Sequence, residues 1–321
     1  MASYQRGSLG PEVEQIQQRL KALGLYTGPI DGSYGGGTEA AIKLFQRNSG
    51  LQVDGDTGPA TWAKLFPATS VLPAPAIASK TIADRCLALT GSFETSSPPP
   101  DCFAGLAGDF DGQGISLGVC QWNFGQGSLQ PLLKAMDQAH GSVVTDVFHN
   151  YADEFRRMLA SPKEDQLNWA RSIQSRRHVI VEPWLGLLKA LARSPEFQAI
   201  ETEHAGHLVQ IARTLCSTYS VHSERALALM FDITVQNGSI DDVVRAQIER
   251  DFGKLDANQP ADALEVARLQ IVANRRAAAS NPVYVNDVRI RKLTIANGTG
   301  VVHGRKYDLA AQYGITLAPL A

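Results

Sequence analysis

The sequence predicts a mainly α protein, built as a small three-helix-type module followed by a larger helical domain with a short β-hairpin. Three observations predict it. Apolar residues recur at helical spacing along most of the chain. A Pro- and Ala-rich stretch at 67–79, PATSVLPAPAIAS, separates two such regions and reads as a semi-rigid linker. One Gly-rich polar stretch, 101–127, interrupts the helical period, and its Ile115-Ser116-Leu117-Gly118-Val119 alternation reads as a hairpin strand. The expected division is 1–66, a linker at 67–79, and 80–321.

Residues 9–66 form the first module. Val13, Ile16, Leu20 and Leu23 mark the apolar face of its first helix, and Gly24 stands where a helix ends. Asp31-Gly32-Ser33-Tyr34-Gly35 with Thr38 is echoed by Asp54-Gly55-Asp56-Thr57-Gly58 with Thr61. Each Asp-Gly pair predicts a tight turn, and Thr38 and Thr61 are placed as helix N-caps. The helices that follow end in Leu44-Phe45 and Leu65-Phe66. Beyond the linker, helices are expected near 80–92, 142–160, 163–176, 184–193, 196–218, 223–236, 240–254 and 260–279. The segment near 297–307 reads as a loop or small hairpin.

Composition narrows the function classes. With 44% hydrophobic and 19% charged residues the chain is ordinary for a globular protein and can bury a large core. A formal net charge of −2 gives no electrostatic ground for a nucleic-acid partner. No apolar stretch approaches the roughly 18 residues of a membrane helix, so no membrane insertion is expected. Met1 to Gly10 is polar and lacks the apolar core of a signal peptide. Cys86, Cys102, Cys120 and Cys216 have no zinc spacing; Cys102 and Cys120 flank the Gly-rich segment and pair only in an oxidising compartment. His204 and His207 beside Glu203 lack a third ligand, and Asp109-x-Asp111 lacks the closing acid of a calcium loop. No metal or cofactor is expected.

The chemistry-bearing residues gather around the Gly-rich stretch. The 80–92 helix runs into Glu94, beside Phe93 and before the loop Ser96–Asp101. A carboxyl next to aromatic surface at a helix end is readily desolvated, and desolvation favours the protonated form that a general acid needs. Asp109-Phe110-Asp111-Gly112-Gln113-Gly114 can hold a second carboxylate across a cleft, the arrangement glycoside hydrolysis commonly uses. A solvated, purely structural carboxylate is the alternative at each position. Asp232, beside Met230 and Phe231, reads either as a buried paired carboxylate or as an ordinary structural one. Trp122, Trp169 and Trp184 offer sugar-stacking surface or core packing, with Trp122 favoured for sugar by its place in the Gly-rich stretch.

Glu94, followed by Asp111-Gly112-x-Gly114-x-Ser116-x-Gly118, resembles the catalytic segment of family 46 chitosanases, within the lysozyme-like superfamily. The resemblance implies a lysozyme-like fold with Glu94 as acid, Asp111 as base and Ser116 positioning water. Gly118-Val119-Cys120-Gln121-Trp122-Asn123 resembles the G-x-x-Q segment of lytic transglycosylases and goose-type lysozymes. There the glutamine lies in the sugar cleft, so Gln121, Trp122 and Asn123, with Asp109, become the substrate-binding candidates. The first module is similar throughout to the type 1 peptidoglycan-binding family, on Val13, Gln17, Leu20, Leu23-Gly24, Asp31-Gly32, Gly35, Thr38, Ala41, Phe45-Gln46, Gly50-Leu51, Asp54-Gly55, Thr61-Trp62 and Leu65.

The combined resemblance is to a modular, phage-type endolysin: a bacteriolytic glycosidase cutting the β-1,4 MurNAc–GlcNAc linkage. The expected partner is bacterial peptidoglycan, and the chain is expected to act as a monomer. Synthesis in the host cytoplasm and release to the periplasm and wall follow from that reading. A lytic transglycosylase, a chitosanase and a non-catalytic wall-binding protein remain as alternatives.

Overall fold

The computed structural model describes residues 3–8, 10–69, 71–95 and 101–320. It is mainly helical, as the apolar spacing predicts, with only short antiparallel strands. The chain divides into two compact units, 1–89 with 208–321, and 90–207.

The first unit opens with α1 (Pro11–Ala22), α2 (Gly36–Asn48) and α3 (Pro59–Leu65). They share one core that includes Val13, Ile16, Leu20, Tyr34, Ile42, Phe45, Trp62 and Leu65. Leu23, expected in that core, is 41% exposed, because α1 ends there and Gly24 turns the chain away at φ +71°. The Asp-Gly repeat is built differently from the capping scheme. Thr38 and Thr61 lie inside the first turns of α2 and α3, whose N-caps are Gly35 and Gly58. Their hydroxyls are buried and each accepts from a glutamine of the preceding helix.

Those glutamines organise the module. Gln17 Nε2 donates to Asp31 Oδ1 (2.7 Å) and the Ser33 carbonyl (2.9 Å), while its Oε1 accepts from the Asp31 and Gly32 N–H groups. Gln46 repeats the arrangement one helix later. Its Nε2 reaches Asp54 Oδ1 (2.7 Å), the Asp56 carbonyl (2.9 Å) and Thr61 Oγ1 (3.1 Å), and its Oε1 accepts from Gly55 N–H (2.9 Å). Both side chains are almost wholly buried, so each lost bond strands a polar group. Gln46→Ala is expected to cost about 3 kcal/mol, read as a lower urea midpoint of the full chain.

The linker is ordered against this module. The Thr69 carbonyl accepts from Trp62 Nε1 (2.8 Å), the Pro73 carbonyl from Tyr4 Oη (2.7 Å), and Leu72 packs on the core.

The helix α4 (Ile82–Thr95) begins in the first unit and ends in the second. The second unit continues with β1 (Leu106–Ala107), β2 (Ser116–Leu117) and β3 (Trp122–Asn123), an antiparallel sheet in that order. Then come α5 (Gln130–Ala139), α6 (Gly141–Phe148), α7 (Ala152–Ala160), α8 (Lys163–Ser172), α9 (Trp184–Arg193) and α10 (Pro195–His204). The single helix expected over 142–160 is broken at His149, which adopts φ +47°. Likewise 196–218 divides at Ala205 into α10 and α11 (Gly206–Thr218), and α11 leads back to the first unit.

The remainder of the first unit holds α12 (Glu224–Asn237), α13 (Asp242–Phe252), α14 (Ala261–Ala278), α15 (Val285–Asn297), the hairpin β4 (Thr299–Val302) and β5 (Arg305–Asp308), and α16 (Leu309–Tyr313). The hairpin stands where 297–307 predicted one. Arg85 of α4 pairs with Glu224 of α12 (2.6 Å) and donates to the Gly314 carbonyl, which anchors the start of α4. Asp232 of α12 is the buried paired carboxylate of the two readings. Arg291 Nη2 lies 2.6 Å and Lys292 Nζ 2.5 Å from its carboxyl oxygens, and all three side chains are buried.

Candidate active site

The second unit brings the end of α4 to the Gly-rich sheet. Glu94 is the penultimate residue of α4 and is exposed. Phe93, expected to cover it, is itself buried, and the next helical residue points about 100° away around the axis. The loop residues 96–100 lie outside the described residues.

Glycine at 105 lets the two segments meet. A methyl group there would lie 2.7 Å from Gln121 Nε2 and 3.2 Å from the Gly118 carbonyl, and would collide with Thr95 Cγ2. Thr95 adjoins Glu94, so the helix end and the Gln121 turn approach each other across Gly105. Gly118 N–H donates to the Gly105 carbonyl (2.8 Å), which ties the turn to the same strip of backbone.

Sheet register sorts the remaining candidates. Ser116 stands on the central strand, opposite Ala107 on one side and Asn123 on the other. Opposed residues of an antiparallel pair share a face, so these three are on one face and Leu106, Leu117 and Trp122 on the other. Ser116 is half-buried, whereas Asn123 and Trp122 are buried. Asn123 Oδ1 accepts from Gln126 N–H (2.8 Å) and so shapes the following turn. Trp122 meets His204 edge-on, with ring centres 5.7 Å apart. Gln121 sits at φ +54° and donates from Nε2 to the Gly118 carbonyl (2.8 Å). Trp184 is core, packed edge-on against Trp169 at 4.8 Å.

The two aspartates of the 109–114 loop differ sharply. Asp111 is exposed, and its Oδ1 accepts from Gln113 N–H (3.1 Å), a local turn. Asp109 is buried and fully engaged: Oδ1 accepts from Gly114 N–H (2.7 Å) and Oδ2 from Arg171 Nε (2.8 Å). Burial opposes its ionisation, but the Arg171 guanidinium and the Gly114 N–H outweigh that and hold its carboxyl below the usual range. Asp109 thereby fixes the loop that displays Asp111.

One residue of the site escaped the sequence reading. Glu201 of α10 is wholly buried, and its Oε1 accepts from Val119 N–H (3.0 Å). Burial pushes its carboxyl well above the ordinary carboxylate range, and the Val119 N–H offsets this only in part. Phe197, Glu201 and Ala205 form a buried stripe at intervals of four, so the spacing carried a signal: a glutamate on an apolar helix face. Among the described residues no disulfide joins the four cysteines; Cys102 is buried and Cys120 half-buried.

The first module carries a concave surface of its own. A groove of about 540 Å³ is lined by Leu25, Tyr26, Asp31, Ser33, Thr38 and Leu44, among others. Residues 10–65 match the family described as putative peptidoglycan binding domain. A spore cortex-lytic enzyme of Bacillus cereus is 48% identical over 65 residues, 20% of this chain and 25% of that protein. An N-acetylmuramoyl-L-alanine amidase of Mycobacterium tuberculosis is 44% identical over 57 residues, 18% of this chain and 14% of that protein. The chain thus spans a quarter or less of the length of these curated relatives. A solved structure, native chitosanase from Bacillus subtilis MY002, is 18% identical with a TM-score of 0.44, covering 72% of this chain and 97% of that one. No helix among the described residues is long and apolar enough to cross a membrane.

Proposed function

We propose that the chain is a wall-binding glycan hydrolase: the 10–65 module docks on peptidoglycan, and the second unit cuts the β-1,4 MurNAc–GlcNAc strand. The observation that carries this reading is the exposed Glu94 carboxyl at the end of α4, brought to the Gln121 turn across Gly105, on the same chain as a peptidoglycan-binding-type module. Glu94 protonates the leaving glycosidic oxygen. Asp111 activates water or stabilises the oxocarbenium-like state, and Ser116 orients the water. Gln121 contacts the sugar, while the buried Trp122, expected from its place in the sequence to stack on sugar, holds the surrounding loops with Asn123 and Asp109.

Exposure of Glu94 fits this role only if the substrate supplies the desolvation. A glycan ring laid over the helix end expels water from around the carboxyl. The functional division we propose remains a binding module at 1–66, a linker at 67–79 and a catalytic region at 80–321.

The relatives that share the module include a cortex-lytic enzyme and an amidase, so the module does not select the bond. The bond rests on Glu94 and its neighbours. Mass analysis of fragments released from purified sacculi tests it. Reducing muramic ends are expected, and reducing glucosamine ends would move the cut to the other β-1,4 linkage of the strand. Release of 1,6-anhydro ends makes the enzyme a transglycosylase, and release of free peptides refutes glycan cleavage.

A further inference from the structure

Gln121 and the start of β3 are placed by the turn from Gly118 to Gln121, and that turn is unusual. Gly118 adopts φ +92° and Gln121 φ +54°, the latter unfavourable for a residue with a side chain. Such a conformation persists only when surrounding contacts over-determine it. Gly105 supplies one contact, through its carbonyl and the Gly118 N–H. The other comes from α10. Glu201 Oε1 takes the Val119 N–H, and Val119 is wholly buried, so that donor would otherwise go unmet. A Cβ on residue 118 would overlap Glu201 Oε1, so the glycine makes room for the carboxyl. His204, three residues after Glu201 and on the same face of α10, packs against Trp122. A single helix therefore grips the turn at Val119 and at Trp122.

We propose that Glu201 is a positioning residue: its buried carboxyl fixes the Gly118–Gln121 turn and so sets where Gln121 meets a sugar bound beside Glu94. The sugar-contact part rests on the glycan-cleavage reading above. Glu201 is 0% exposed, so it acts on substrate through the turn and not by touching it. Its second oxygen, Oε2, has no hydrogen-bond partner among the described residues, so the link to Val119 carries the role. Burial favours the neutral acid, for which glutamine is a near replacement: it keeps an acceptor for Val119 and adds no charge.

The test compares full-length wild type with Glu201→Gln, Glu201→Asp and Glu201→Ala, by amide hydrogen exchange over 118–122 and by turnover of solubilised glycan strands. Asp keeps a carboxyl but withdraws it by one methylene, which preserves a readout if Ala fails to fold. The expected result is at least about tenfold faster exchange over 118–122 for Asp and Ala, with Gln close to wild type. Apparent KM should rise at least about tenfold for Asp and Ala while kcat falls less, as displaced contacts with bound sugar require. Unchanged exchange in both Asp and Ala overturns the proposal. So does a Gln variant that loses turnover as completely as Glu94→Gln while its 118–122 amides stay protected, because ionisation of the carboxyl would then be essential. If exchange follows the expected order but wild type releases no glycan ends, the cleavage reading fails and the turn-holding role stands.

Discussion

Glu94→Gln is expected to abolish lysis of purified sacculi, lowering the rate by about 10²–10⁴-fold. Glutamine keeps the size and the hydrogen-bonding reach of the side chain but has no proton to give the leaving oxygen. The position is exposed at a helix end, and glutamine preserves the volume of the side chain. The variant should therefore melt with wild type and still sediment with sacculi through the 10–65 module. That combination, binding kept and turbidity loss gone, separates a lost acid from a lost fold. A variant that still cleared sacculi at the wild-type rate would remove Glu94 from the mechanism. Asp111→Asn adds a second discrimination in the same assay. A hydrolase needs the carboxylate and slows, whereas a transglycosylase uses the substrate's own hydroxyl and does not.

The largest loss of stability is expected at Asp232→Asn. Arg291 donates from Nε and Nη2, and Lys292 from Nζ, to one carboxylate in a fully buried cluster. Asparagine leaves two buried cations facing a neutral amide, and breaking a buried ion pair in this way costs about 3–5 kcal/mol. Lys292 Nζ also donates to Gln236 Oε1 (2.7 Å) and the Asp232 carbonyl (3.3 Å), neither of which carries a charge. At about 2–4 °C per kcal/mol, Tm should fall by roughly 10 °C. The pH dependence has a definite sign. Burial alone raises the Asp232 carboxyl, but Arg291 and Lys292 outweigh it and hold it at about 2, below its unfolded value near 4. Its contribution is thus complete above about pH 4 and drains away as pH falls toward 2. Wild type should lose stability over that window, and Asp232→Asn should show a flatter Tm profile there. Equal Tm values for the two proteins at pH 7 would refute the account.

What could be seen in the sequence follows the distance over which each feature is determined. The Asp-Gly turns at 31–32 and 54–55 and the end of α1 at Gly24 are local, and all three were readable. The partners of Thr38 and Thr61 were not, because a threonine before an apolar run looks like a cap until the folded chain delivers Gln17 and Gln46 to it. The helix α15 went unread for a physical reason. Its buried face carries Arg291 and Lys292, so the apolar period that marks a helix is interrupted where the Asp232 cluster needs charge. The helix α5 follows directly on the Gly-rich stretch and begins with a proline, which masked its start. Glu94, Asp111 and Ser116 were legible as a spacing, but exposure was not, since it depends on which way a helix faces. The burial of Glu201 left a trace in its helical spacing, but its role did not, because its partner, Val119, lies 82 residues away.

The second unit is nested within the first: the chain enters it partway along α4 and leaves it near the start of α11. Domains strung in series can be traded by recombination at a single junction, but this one has two, both inside or beside helices. A fragment starting at residue 90 would sever α4 between Leu89 and Thr90, leaving Glu94 on a stub of little more than one turn without the Arg85 anchor. Any lineage that exchanged the wall-recognising half for another would thus have to splice upstream of Ile82 and keep everything after it. The evolutionary unit is larger than the compact one, and the natural seam is the proline-rich stretch before α4.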